Sequence, residues 1–171
     1  MTGSVIQLSM NFGYPGSYAR MPDDIVIAKP VSTASDSIPF GYAVKLLGGN
    51  TFAKGDATLT ADNFAGIAVR EVKQALTLIA DQGEYAKGMP CDVLARGNTV
   101  VKLARGTPTA GGAVLFRIAA DNSISGSAVG DFEAGEAQDN KTIALPGVFF
   151  TTGEVDANGI IEISITKRNN N

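Results

Sequence analysis

At 171 residues, 44% of them hydrophobic and 18% charged, the chain has the length for one domain with a sizeable core rather than two. Its 14 basic and 17 acidic residues give a formal charge of −3, and the basic residues are dispersed, so no phosphate-neutralising stripe points to nucleic acid as a partner. The absence of histidine removes the commonest general base and metal ligand, and the single cysteine, Cys91, excludes a disulfide framework or a multi-thiolate zinc site. Met1–Met10 lacks the positive charge and uninterrupted apolar core of a secretory signal, and no apolar run approaches the roughly 20 residues that cross a bilayer. The expectation is a soluble chain synthesised in the cytoplasm, with neither a membrane nor a nucleic-acid partner.

Residues 1–24 are read as an extended N-terminal arm. From Met10 to Arg20 it carries Phe12, Tyr14 and Tyr18, while Gly13, Pro15 and Gly16 break any regular element. Such rings need a surface to bury against, and two are open to them: the protein's own barrel end, or a partner. Burial of about 150–250 Å² per ring, at about 25 cal/mol per Å², yields a few kcal/mol even when partial. That is enough to order an arm. Arg20 adds a possible charge-assisted bond to a partner carboxylate.

From Ile25 onward the chain reads as a series of short strands between glycine and proline punctuation. Strands are expected over Ile25–Val31, Tyr42–Leu47, Phe64–Val72, Ala75–Ile79, Cys91–Ala95, Thr99–Ala104, Ala113–Ile118, Thr142–Thr151 and Ile160–Lys167. This spacing predicts an all-β fold, a single small β-barrel or β-sandwich domain over residues 25–167, followed by a frayed tail at 168–171. A short turn capped by Thr60 is expected at Thr60–Asn63. A hairpin is expected at Arg96-Gly97-Asn98, with Val93, Ala95, Val101 and Leu103 inward and Asp92 and Lys102 outward. Ile161, Ile163 and Ile165 alternate with Glu162, Ser164 and Thr166, and Asn158-Gly159 before them predicts a tight turn back to Phe149 and Phe150. Gly126–Asn140 reads as a long acidic loop.

Little in the chain carries chemistry. Gly48-Gly49-Asn50 and Gly111-Gly112 lack the Lys-Ser/Thr and the strand–loop–helix setting of a phosphate cradle. Asp131, Glu133, Glu136 and Asp139 are close in sequence, and are read as a solvated loop without the rigidity that acid–base work needs. Asp156–Glu162 lacks the first acidic ligand of a calcium loop, and Cys91 reads as an inert strand residue. No catalytic, cofactor-binding or metal residue is identified, no cofactor is expected, and the protein is expected not to be an enzyme.

The run Asn11-Phe12-Gly13-Tyr14-Pro15-Gly16-Ser17-Tyr18-Ala19-Arg20 resembles the N-terminal signature of the structural cement (capsid decoration) proteins of tailed bacteriophages. Asn63–Lys73 resembles that family's second recurring segment, and Gly88–Leu103 with Gly111–Val114 is similar to it in general pattern. The resemblance spans most of the chain and rests on the first two segments. It implies a structural virion protein on the outer capsid surface that cements neighbouring major capsid protein subunits. It further implies a homo-oligomer, a trimer in preference to a dimer, near a local symmetry axis. Partner-binding residues are then expected at Asn11, Phe12, Tyr14, Pro15, Tyr18 and Arg20. The competing readings are another virion β protein of the tail tube, head completion or baseplate, and a carbohydrate-binding module, which the absence of tryptophan disfavours.

Overall fold

The structure is a computed structural model that describes residues 15–70 and 83–166. The expected strand at Ala75–Ile79, the arm residues 1–14 and the tail lie outside the described residues. Among the described residues there is no helix, and the strands are β1 (Tyr18–Pro30), β2 (Ile38–Pro39), β3 (Ala43–Leu47), β4 (Thr51–Lys54), β5 (Phe64–Ala68), β6 (Glu84–Tyr85), β7 (Pro90–Arg105), β8 (Ala113–Arg117), β9 (Phe132–Glu133), β10 (Thr142–Phe150) and β11 (Ile160–Ile165).

The choice between barrel and sandwich falls to the barrel. Strands β7, β11, β10, β8 and β9 pair in turn and return to β7, a closed ring of five. The short β9 completes it, lying parallel to β7 and antiparallel to β8. From β7 the sheet continues outward through β5, β3 and β4, and β1 pairs with β7 separately. Closure removes most exposed strand edges, which is how a small all-β domain avoids edge-to-edge association.

β7 replaces the hairpin expected at Arg96-Gly97-Asn98. The chain runs straight through these residues in a single 16-residue strand. Two neighbours hold it open: β11 pairs from Gly97 to Lys102, and β1 pairs from Pro90 to Thr99. Between the pairs Arg20–Asn98 and Ile25–Arg96, four residues of β1 stand against Gly97 alone on β7, an enlarged bulge. The bulge drives Asp24 against Gly97, whose φ of 125° and lack of a Cβ make room for the carboxylate. Glycine here marks a close approach inside a strand, not a turn.

Two apolar cores meet at β7, and residues on both sides of Gly97 reach the barrel core. Val101 and Leu94 belong to the barrel core with Phe116, Phe132, Phe150, Ile161, Ile163 and Ile165. Cys91 and Val93 face a second apolar cluster, with Val31, Ile38, Val44, Phe52 and Tyr85, on the other side of the β3–β5 extension. Phe40 and Tyr85 meet edge-on there at 5.1 Å between ring centroids, and the Tyr85 hydroxyl donates to the Val69 carbonyl at 2.6 Å.

The local expectations fare unevenly. Thr60 and Asn63 cap one another reciprocally: Thr60 N–H donates to Asn63 Oδ1 at 2.8 Å and Asn63 N–H to Thr60 Oγ1 at 3.3 Å. β10 and β11 do pair, with Phe150 opposite Ile163. Their connection is a wider loop rather than a two-residue turn, because Asp156 Oδ1 accepts from both Asn158 N–H and Ile160 N–H and organises the corner itself. The acidic loop is not uniformly solvated: it contains β9, and Glu133 is buried.

Candidate functional site

The site is the place where the N-terminal segment joins the barrel. Pro15-Gly16 forms a turn lodged between three elements. Gly16 N–H donates to the Val100 carbonyl at 2.9 Å, and its carbonyl accepts from Arg70 N–H at 2.8 Å. The Ser17 carbonyl accepts from Val100 N–H at 3.2 Å and from the buried Thr99 hydroxyl at 2.9 Å. At roughly 1 kcal/mol for each such bond, three of them fix the turn on β7 and the fourth holds it beside Arg70. Gly16 has a φ of 84°, and a Cβ on it would lie 2.6 Å from Gly41 N and 2.9 Å from Phe40 Cβ. Both its conformation and its space therefore require glycine.

The six residues expected to bind a partner are distributed across this junction. Asn11, Phe12 and Tyr14 lie outside the described residues. Pro15 is half-buried in the turn, packed toward Gly41. Tyr18 and Arg20 are strand residues of β1, opposite Thr99 and Asn98. Thus residues from Gly16 onward are bonded into the sheet, with Gly16 held at Val100. Sequence reading took Gly16 as a breaker alone; its seat against Gly41 and Val100 involves partners 25 and more residues away and has no local signal.

A second feature escaped the sequence reading. Under the loop 118–141, on the outer side of β8 and β9, Arg117 (0% exposed) binds Glu133 (5%) through two hydrogen bonds, Nε–Oε1 at 2.6 Å and Nη2–Oε2 at 2.7 Å. Arg117 also donates to Gln138 Oε1 at 3.1 Å and the Ala119 carbonyl at 3.3 Å. Arg105 reaches Glu133 and Asp131, each at 3.3 Å. The hydrogen bonds to Glu133 hold the Arg117 guanidinium still more firmly protonated than usual. Nearby, the Lys141 ammonium donates to Asp121 at 2.6 Å, and with Ser123 holds that carboxyl well below the ordinary range. An arginine inside the apolar run Ala113–Ala120 was the available signal, since a buried cation demands a partner.

These groups are structural rather than reactive in arrangement. Each carboxylate in the network is engaged by arginine or lysine, and burial pushes the Cys91 thiol up, away from the thiolate that reaction requires. Among the described residues no group of histidine, cysteine and carboxylates is placed to hold a metal ion.

The comparisons with known proteins bear on the whole chain. The model of the family described as "Structural cement protein (E217 gp24/Pam3 gp6)" matches residues 2–166. A solved structure, "The capsid of Myoviridae Phage XM1", contains a chain with the same fold, at TM-score 0.70 and 17% identity, covering 98% of this chain and 99% of that one. A search of the curated proteins finds no match. With the family model spanning almost its entire length, the chain belongs to the structural cement proteins of phage capsids.

Proposed function

We propose that this cement protein binds the outer surface of an assembled phage capsid, bridges neighbouring major capsid subunits as a homo-oligomer, and does so without catalysis. Membership of the structural cement family over residues 2–166 carries the reading, and the chain of matching fold in a phage capsid structure supports it. The seat of Pro15–Ser17 supports the further proposal that the N-terminal segment is the grip. Three hydrogen bonds tie its root to β7 and a fourth ties it to Arg70, so load on the segment passes directly into the closed barrel. Asn11, Phe12, Tyr14 and Pro15 would make the contacts, with Tyr18 and Arg20 at the root. Multivalency does the rest: an oligomer on a symmetric lattice engages several sites, and each later contact forms at high effective concentration.

The test is truncation before Pro15, because a cut further on would remove strand β1. A chain beginning at Pro15 should keep its β-sheet circular dichroism and lose capsid occupancy. Undiminished occupancy would show that the barrel surface, and not the segment, makes the contact.

A further inference from the structure

Two strand edges of the sheet are finished differently. The edge of β4 is covered by the chain that follows β1: Ser32 N–H donates to the Phe52 carbonyl at 2.7 Å, and Lys54 N–H to Ser35 Oγ at 3.1 Å. The edge of β1 has no such cover. Among the described residues β1 pairs with β7 alone, and the phase of that ladder tells which backbone groups are left over. Val31 N–H donates to the Met89 carbonyl, and on the far side of β7 the Asp92 carbonyl accepts from Val69 N–H, each at 2.9 Å. Ile27 and Lys29 therefore direct their backbone groups to Val93 and Cys91. Val26 and Ala28 direct theirs away from the sheet, and both residues are exposed, Val26 at 38%.

Outward N–H and C=O groups on an edge are a template for one more strand. Here the template is short and bounded. Pro30 has no N–H to offer at one end, and the bulge opposite Gly97 interrupts the strand before Ile25 at the other. An edge closed at both ends accepts one strand rather than nucleating a fibre. We propose that two copies of this chain join by antiparallel pairing of their β1 edges, about a two-fold axis at Val26.

Charge sets both the occupant and the register. With Val26 opposite its twin, Asp23 of each copy stands opposite Lys29 of the other, so opposite charges meet at both ends. Val26 then exchanges both backbone bonds with its twin, as the outward phase of its groups requires. Asp23 is bound to Arg96 at 2.6 Å, yet its side chain is 69% exposed. Lys29 lies 5.6 Å from the Phe52 ring and has no carboxylate partner among the described residues. Other registers fit less well. An axis at Ala28 sets Val26 against Pro30, an axis at Ile27 sets Lys29 against Ile25, and an axis at Lys29 opposes two like charges. This pairing deepens the cementing reading, on which its use rests, by naming the element that joins the copies. It needs no capsid, so the free protein tests it.

Val26→Cys places two thiols at the axis, where opposed Cα atoms stand about 5.5 Å apart, inside the roughly 4.4–6.8 Å that a disulfide spans. Ala28→Cys stands about 13 Å from its twin in the same register. Mild oxidation should join Val26→Cys chains into covalent dimers at least tenfold faster than Ala28→Cys chains, and the buried native Cys91 leaves no background. In sedimentation velocity the native chain should form dimer as its concentration rises. Val26→Asp sets like charges at the axis and Lys29→Asp sets them at both ends. Each should raise the dimer dissociation constant at least tenfold with unchanged β-sheet circular dichroism. A native chain that stays monomeric at every concentration would overturn the proposal. Equal crosslinking at the two positions, or a dimer that both Asp variants leave intact, would overturn it as well.

Discussion

The Arg117 guanidinium and the Glu133 carboxylate are joined by two hydrogen bonds of 2.6 and 2.7 Å between the neighbouring strands β8 and β9 of the barrel. β9 is two residues long, too short to hold by its own ladder bonds. The ion pair, together with Phe132 packed edge-on against Phe116 at 5.8 Å, keeps it in place. A buried bidentate pair is costly to desolvate and more costly to break.

Removing one partner should therefore be far worse than removing both. Glu133→Ala leaves Arg117 buried and uncompensated, and should lower stability by about 3–5 kcal/mol. Arg117→Met combined with Glu133→Leu should recover much of that loss. Urea denaturation of the two variants checks the order, and equal losses would assign the hold on β9 to packing alone.

Gly16→Ala tests the seat of the N-terminal segment. The substitution places a Cβ 2.6 Å from Gly41 N at a φ of 84°, and should cost about 1–3 kcal/mol or detach the turn. Amide exchange distinguishes the two. Detachment speeds exchange at Gly16, Arg70 and Val100, whose N–H groups form the seat, while the rest of β7 stays protected.

Tyr42 predicts a loss of stability in alkali. Burial above all, then the negative charges of Asp131 and Asp56, raises its hydroxyl from 10.0 to about 12. The folded state thus keeps a proton that the unfolded chain gives up, so stability is level below about pH 10 and falls as pH rises toward 12. Tyr42→Phe should flatten that fall, at the cost of the hydroxyl's 3.2 Å bond to the Val129 carbonyl. Denaturant titrations across this range, beside the ultraviolet absorbance of tyrosinate, measure both.

Asp121 acts at the opposite end of the scale. The hydrogen bond from Lys141, and those from Ser123, depress its carboxyl below the unfolded value. Its contribution is present above the ordinary aspartate range and is lost as pH falls through the lower, folded value. Asp121→Asn should lower stability at neutral pH and reduce the acid dependence of unfolding. An unchanged acid limb would remove Asp121 from the account.

What the sequence made legible follows from the range of each interaction. Ile161, Ile163 and Ile165 announce an inward strand face because alternation is local, and Thr60–Asn63 announces its turn for the same reason. β7 was misread because a glycine between apolar runs signals a turn just as well as a close approach. Only the arrival of Asp24 from a distant strand tells them apart. Glu133 looked solvated because Arg117, 16 residues away, supplies its partner. The family resemblance in Asn11–Arg20 was legible, whereas the seated turn at Pro15–Gly16 and the strand from Tyr18 required the backbone bonds of Gly16 and Ser17.

The most direct measurement of the central claim is co-sedimentation of the purified protein with expanded, assembled capsids and, in parallel, with unassembled major capsid protein. Saturable recovery with the capsids alone, at fixed stoichiometry and with higher resistance of the shell to heat, is the predicted result. Equal binding to unassembled subunits, or none to the shell, would contradict the cementing role.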